Sequence, residues 1–205
     1  KPSQAKDIAQ VLGATRRGDG CWVGASVTVT WCIGHLLETA PPDSYDARYK
    51  RWVLEDLPIV PERWKMQVKP KTASQYKAVK RLLGEASELV IATDADREGE
   101  MIARELVEHC RYRGPIQRLW LSALDDASIR KALGSLRAGA DTFNLYQSAL
   151  GRLRADWLIG MNMSRLFTLL GQQSGYQGVL PVGRVQTPTL RLVVDRDRSI
   201  AGFVP

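Results

Sequence analysis

The sequence predicts an α/β fold in which a mainly parallel sheet with flanking helices is followed by a partial all-α domain. Apolar β-type and helix-type segments alternate from the start of the chain to about residue 136. This order is typical of parallel strands joined by crossover helices. From residue 143 onward the apolar periodicity is helical. The 205 residues are 44% hydrophobic, which is enough to bury a core.

A first helix is predicted over residues 3–12, with Ser3 as a suitable N-cap and Gly13 as a suitable stop. The elements predicted after it alternate in type. They are a basic turn at 16–20, strands at 22–23 and 26–31, a helix at 74–84, a strand at 89–93, a helix at 100–109, a strand at 116–121 and a helix at 125–136.

Residues 41–71 form a predicted excursion with little regular structure, because proline, aromatic and charged residues are frequent there. Aromatic residues alternate with basic ones in this segment, namely Tyr45, Arg48, Tyr49, Lys50, Arg51, Trp52 and Trp64. Such aromatics stack on the bases of single-stranded nucleic acid, or they pin a long loop to the core. The sequence leaves both interpretations open.

Residues 137–141 are the predicted domain boundary, which divides the chain into domains 1–136 and 137–205. The second domain contains three predicted helices and a loop rich in Gln and Gly. The helices are at 143–161, 164–170 and 185–200, and the loop is at 171–183.

Four carboxylates fall within residues 94–100, between the apolar strand and the helix that follows it: Asp94, Asp96, Glu98 and Glu100. Side chains alternate on a strand, so Asp94 and Asp96 point the same way. Two like charges so close together call for a cation. Mg²⁺ suits the position, because it uses one or two protein carboxylates and completes its shell with water and phosphate.

Two other interpretations of this acidic stretch exist. Acidic residues at a helix start cap the first turn and complement the helix dipole. The stretch also approaches a calcium-loop pattern, with Gly99 sixth and Glu105 twelfth. The calcium loop is rejected, because Glu98 replaces the usual Asp or Asn and the helix pattern from residue 100 to 108 would distort the second half of the loop.

Positive charge is concentrated in the last third of the chain. Residues 130–205 contain ten Lys and Arg against four acidic residues, whereas the whole chain has 29 against 22. This predicts a phosphate-binding surface, with ordinary solubility charge as the alternative. Arg152 lies four residues before Asp156, either as a solvated ion pair or as a pair that orients Arg152 toward a nucleotide. Backbone amides at 183–188, together with Arg184, suit a phosphate.

Composition excludes some classes of protein. No apolar run approaches 18 residues and no secretory signal opens the chain, so neither a membrane span nor secretion is predicted. The three cysteines are odd in number and lack zinc-like spacing, which predicts a reduced, cytoplasmic protein. Two histidines are too few for a histidine-rich metal site.

Residues 94–100 resemble the acidic motif of the Toprim domain as it occurs in the type IA DNA topoisomerases. Further segments agree with that family in the same order, and they are residues 1–3, 30–36, 154–160 and 183–188. Residues 45–52 and 57–61 resemble the topoisomerase III branch. The resemblance spans the whole chain, and several long motifs in order are more specific than any one of them.

The resemblance implies a Toprim domain of Rossmann-like type, followed by part of a helical domain that leads single-stranded DNA to the active site. In this family a tyrosine attacks a phosphodiester, an intact strand passes through the gap, and the break is resealed with the help of Mg²⁺. The implied metal ligands are Asp94, Asp96 and Glu98. The implied catalytic residues are Lys1, which assists proton transfer, and Glu100. The implied DNA-binding residues are His35, Arg97, Arg152, Asp156, Arg165, Arg184 and Gln186, and His35 has a structural role at a strand end as its alternative.

Two departures from the family pattern are expected to matter. The family motif has a glutamate before Lys1, so the first strand of the sheet and its carboxylate are expected to be missing. None of the six tyrosines has the sequence context of the family nucleophile. The segment alone is therefore expected to bind metal and single-stranded DNA without cleaving it.

The alternatives are another Toprim enzyme of primase or nuclease type, or a non-catalytic DNA-binding module. The expected location is the cytoplasm, at a bacterial nucleoid or plasmid. No membrane partner is expected, and no helicase or plasmid-processing partner can be identified from the sequence.

Overall fold

The computed structural model describes residues 1–204, which form a mixed α/β structure with six α-helices. The α-helices are α1 (Pro2–Val11), α2 (Ala73–Glu85), α3 (Arg97–His109), α4 (Asp126–Leu133), α5 (Phe143–Gln173) and α6 (Gln186–Ala201). The strands are β1 (Arg16–Gly18), β2 (Cys21–Val23), β3 (Thr28–Thr30), β4 (Leu37–Thr39), β5 (Met66–Val68), β6 (Leu89–Ile91), β7 (Ile116–Arg118) and β8 (Arg137–Ala138). Within the described residues, no helix has the length and hydropathy needed to cross a membrane.

The chain divides into two compact units. The first comprises Lys1–Thr39 and Met66–Leu150, and the second comprises Ala40–Lys65 and the chain from Gly151 onward. The excursion at 40–65 therefore packs with the C-terminal helices, although it lies between two segments of the first unit. The predicted division at residue 136 rests on sequence pattern and stays a prediction.

Parallel pairing in the described residues is limited to β6 and β7, so the prediction of a mainly parallel sheet is confirmed only for this pair. Strand β8 pairs antiparallel with β7, and β4 pairs antiparallel with β5. The prediction of a turn over 16–20 is wrong for Arg16–Gly18, which is strand β1. Asp19 and Gly20 form a two-residue hairpin loop, and Gly20 has φ +66°, a conformation that glycine adopts without strain.

Two apolar clusters form the core of the first unit. One contains Leu36, Leu37 and Leu106, and the other contains Ile8, Leu119 and Ile129. Each joins helices to residues at or beside strand ends, which is how the helices flanking the strands bury their apolar faces. The second cluster includes Leu119, directly after β7, with Ala92, directly after β6, packed against it, so it lies beside the strand end from which the acidic stretch extends.

Helix α5 is continuous from Phe143 to Gln173, so the prediction of separate helices at 143–161 and 164–170 is wrong. The side chain of Asn162, which lies between the two predicted helices, does not end the helix. Its amide donates a hydrogen bond to the Leu158 carbonyl (2.9 Å) within the same helix. The same side chain accepts from the Ile59 amide (2.6 Å) and donates to the Ile59 carbonyl (3.0 Å).

The aromatic residues of 40–65 pack against α5 within the second unit. The ring of Trp157 lies 5.4 Å from that of Trp64 and 6.1 Å from that of Tyr45. Arg154 lies over Trp64, and the guanidinium of Arg165 lies 5.1 Å from the centroid of Trp52. These contacts favour the pinning interpretation over base stacking for Tyr45, Trp52 and Trp64.

We predict that Asn162→Ala lowers the free energy of unfolding by about 1–3 kcal/mol, because it leaves both backbone groups of buried Ile59 without partners. Urea denaturation measures the loss, and hydrogen exchange should show faster exchange in residues 40–65. Asn144→Ala, an exposed position on the same helix, is the control and should change neither quantity. Equal effects of the two substitutions would contradict a stabilising role for the hydrogen bonds between Asn162 and Ile59.

Candidate functional site

The acidic stretch lies where β6 ends and α3 begins. Asp96 is the N-cap of α3, and its Oδ1 accepts a hydrogen bond from the Gly99 amide (2.7 Å). Asp96 therefore caps the helix as the capping interpretation predicts, but it uses only one of its two carboxylate oxygens to do so. Because α3 already begins at Arg97, the twelve-residue loop required by the calcium interpretation does not exist.

Gly99 allows α3 to pack directly on the backbone of Asp94. A Cβ atom at Gly99 would lie 2.1 Å from the Asp94 carbonyl oxygen, a distance that no side chain tolerates. The Thr93 hydroxyl also donates to the Gly99 carbonyl (2.7 Å). These two contacts hold the end of the strand against the first turn of α3. They therefore fix the position of the Asp94 backbone, from which its side chain extends.

A buried arginine on β7 forms hydrogen bonds to the backbone of the same turn. Arg118 is fully buried, and its guanidinium bonds the Glu100 carboxylate and four backbone carbonyls. These carbonyls belong to Ile91 (3.1 Å), Thr93 (2.9 Å), Asp94 (2.6 Å) and Leu119 (2.6 Å). Burial lowers the pKa of Arg118, and the bond to Glu100 opposes that effect. The sequence analysis missed Arg118, for which the available signal was a charged residue inside an apolar strand.

Glu100 serves as the counterion in this buried cluster. Its side chain is fully buried, one carboxylate oxygen accepts from Arg118, and the other accepts from Arg104 Nε at 2.7 Å. Both oxygens are engaged and neither reaches solvent, which favours a structural role, and the catalytic role of Glu100 stays a prediction. Its position gives it a structural role beneath the acidic turn.

A cleft of about 500 Å³ opens beside the turn and is lined by three of the predicted site residues, Lys1, Asp94 and Asp96. Lys1 Nζ lies 2.9 Å from Asp94 Oδ2. The hydrogen bond to Asp94 raises the pKa of Lys1, although the Lys1 side chain is largely exposed. An ammonium group and two carboxylates thus share one opening on the surface.

The carboxylates at this opening suit a hard divalent cation. The described residues contain no group of three or more His, Cys, Asp or Glu arranged as a metal cage. Mg²⁺ does not need one, since it binds through one or two carboxylates together with water and phosphate. Asp94 uses Oδ2 for Lys1 and Asp96 uses Oδ1 for its cap, which leaves the second oxygen of each for an ion. Glu98, the third predicted ligand, is exposed and bonds His35.

His35 joins Glu98 to a buried carboxylate. Its Nε2 lies 2.8 Å from Glu98 Oε1, and its Nδ1 lies 2.9 Å from Glu105 Oε1. The bond to Glu105 raises the pKa of His35, against the opposing effect of burial. Burial raises the pKa of Glu105, whose Oε2 has no partner among the described residues. Both ring nitrogens are engaged, so the geometry matches the structural alternative for His35.

A second group of predicted residues meets within the second unit. Asp156 Oδ1 lies 2.8 Å from Arg184 Nε, and Asp156 Oδ2 lies 3.6 Å from Arg152 Nε. The ion pair between residues 152 and 156 is confirmed, whereas the approach of Arg184 to the same carboxylate was not anticipated. One aspartate therefore holds two exposed guanidinium groups of the kind that bind phosphate.

The other predicted DNA-binding residues differ in exposure. Arg97 and Gln186 are exposed first residues of α3 and α6. Arg165 is only 5% exposed and packs on Trp52, which favours a role in packing, and its contact with DNA stays a prediction. Burial lowers the pKa of Arg165.

We predict that the free energy of unfolding falls as the pH rises from about 6.5 through the raised pKa of His35. A raised pKa in the folded state contributes stability below 6.5 that is lost as the imidazolium deprotonates. Urea denaturation at a series of pH values, with a chelator present, should show a smaller fall in His35→Gln. His109→Gln is the control, because burial lowers the pKa of His109 and its contribution has the opposite sign. An unchanged pH profile in His35→Gln would contradict the prediction.

Comparison with known proteins places these features in a family. Residues 1–124 match the Toprim domain family, and residues 140–205 match the family described as DNA topoisomerase. DNA topoisomerase 3 of Salmonella typhimurium is 49% identical across the whole of this chain, and that of Vibrio cholerae is 47% identical. The DNA topoisomerase 3 of Bacillus thuringiensis is 43% identical over 99% of this chain.

This chain spans about a third of the length of these relatives, namely 32%, 33% and 27% respectively. A solved structure of full-length topoisomerase I from Thermotoga maritima matches all of this chain and 30% of that chain, with a TM-score of 0.65 and 27% identity. The sequence match, the fold match and the acidic turn agree. The chain belongs to the type IA DNA topoisomerases and carries their Toprim domain.

Proposed function

We propose that this chain is the N-terminal, metal-binding and DNA-binding part of a topoisomerase III-like enzyme that cleaves, passes and reseals single DNA strands. The observation that carries the proposal is the cleft in which Lys1, Asp94 and Asp96 meet at the end of β6, inside a Toprim domain. The match to the DNA topoisomerase family over residues 140–205 favours this function over a primase or nuclease.

In the proposed mechanism Asp94 and Asp96 would hold Mg²⁺, and Glu98 would join them as the third ligand by exchanging its contact with His35 for the ion. When bound, the ion supplies positive charge that positions the DNA phosphate and supports resealing. The Lys1 ammonium, whose Nζ lies 2.9 Å from Asp94 Oδ2, would donate a proton to the leaving oxygen. No tyrosine among the described residues lines the cleft, so the nucleophile is expected from another part of a longer protein.

The proposed DNA path in the second unit uses Arg152 and Arg184. Their pairing with Asp156 holds both guanidinium groups in place before the strand arrives, which reduces the entropy lost on binding. Exposed Arg97 and Gln186 are further proposed contacts. We place the protein in the cytoplasm, where its three unpaired cysteines stay reduced.

We predict that Asp96→Asn weakens Mg²⁺ binding about tenfold or more, because it removes a charged ligand while asparagine still caps α3. Isothermal titration with MgCl₂ measures the affinity. Asp125→Asn is the matched control, since Asp125 caps α4 in the same way through the Ser128 amide and does not line the cleft. Equal affinities of Asp96→Asn and the wild type would overturn the metal assignment.

We predict that replacing both Arg152 and Arg184 by Gln weakens binding of single-stranded DNA and lowers the slope of log K against log salt concentration by about 1.4, or about 0.7 per phosphate contact. Fluorescence anisotropy over a range of salt concentrations measures both effects. The control is Arg81→Gln, which removes an exposed arginine paired with Glu85 on α2. The wild type should also prefer single strands to duplex. An unchanged slope, or equal binding of duplex, would contradict the assignment.

A further inference from the structure

Trp120 lies in the wall of the cleft, just after β7. Its indole ring is partly exposed, and two guanidinium groups lie against it. Arg118 is 5.0 Å and Arg137 is 4.7 Å from the ring centroid. Of these three described residues, Trp120 lines the cleft and the two arginines do not. The two arginines therefore restrict the orientation of the ring, while Trp120 itself stays partly exposed and lines the cleft.

The cleft is lined by both charged and apolar residues. Asp94, Asp96 and Lys1 are the charged ones, and Trp120 and the half-exposed Leu124 are among the apolar ones. The volume of about 500 Å³ lies within the range of sites that hold small molecules, about 300–1,000 Å³. A nucleotide has the same division into a charged phosphate and a flat base with apolar faces.

We propose that Trp120 contacts a nucleobase of the single strand whose phosphate lies at Asp94 and Asp96, so that the cleft holds one whole nucleotide. This inference rests on the proposed function and adds a base subsite to it. Contact between a base and an aromatic ring tolerates any sequence, because every base has a π face. The subsite therefore adds affinity without adding base preference.

A purely structural role for Trp120 makes a different prediction. If the indole only packs on Arg118, its loss would disturb the acidic turn through the Arg118 bond to the Asp94 carbonyl, and every ligand of the cleft would bind more weakly. If the indole contacts a base, its loss weakens only those strands that carry bases. Strands with and without bases therefore separate the two roles.

The test measures binding of the 205-residue chain to two single-stranded oligonucleotides of equal length, one ordinary and one with abasic residues throughout. Trp120→Leu should weaken binding of the ordinary strand about tenfold and leave binding of the abasic strand unchanged. Trp22→Leu is the matched control, because Trp22 is also partly exposed beneath an arginine, with Arg17 at 5.6 Å, and does not line the cleft. It should change neither affinity.

Each outcome bears on the proposal. Equal binding of the ordinary strand by Trp120→Leu and the wild type overturns the base subsite and leaves the proposed function standing. Equal weakening of both strands overturns it in favour of the structural role. Failure of the wild type to bind either strand overturns the base subsite and the DNA-binding function together. If Trp120→Leu fails to fold, Trp120→Phe replaces it and should lose part of the affinity for the ordinary strand alone.

Discussion

The candidate site depends on the buried guanidinium of Arg118. This group bonds the carbonyls of Ile91 and Thr93 at the end of one strand, of Leu119 beside the next strand, and of Asp94 in the acidic turn. Backbone carbonyls left unpaired in this interior would each carry a desolvation cost. The buried charge is tolerated because Glu100 lies against it and because the hydrogen-bonding groups around it are satisfied. The acidic turn is therefore supported by a charged cluster that never contacts solvent.

Two further contacts, both made by the first turn of α3, hold the same acidic turn. Gly99 brings the first turn of α3 against the Asp94 backbone, and the Asp96 side chain caps that helix. A turn held by a helix start, a strand end and a buried arginine has little freedom to rearrange. The backbone positions of Asp94 and Asp96 are therefore fixed by contacts within the protein. A metal site with only a few protein ligands requires such fixed positions.

Much of this organisation could be predicted from sequence because it is local. The helices α1 to α4, the strands β2, β3, β6 and β7, the acidic turn and the pairing of Arg152 with Asp156 follow from periodicity and spacing along one segment, whereas β1, β4, β5 and β8 were missed. The contacts that were missed join residues far apart in the chain. Arg118 and Glu100 are 18 residues apart, His35 and Glu105 are 70 apart, and Ile59 and Asn162 are 103 apart. Asn162 is a further example. The local sequence predicted a break between two helices at this position, but α5 continues through it, and the side chain of Asn162 bonds the distant Ile59.

In the proposed DNA path, the ion pairs of Asp156 have a consequence for the exchange of strands. The Asp156 carboxylate already gives Arg152 and Arg184 an anionic partner, as a phosphate group would. A phosphate that binds to these two arginines would therefore replace one anion by another. Such an exchange would limit the affinity for the strand and would favour its release.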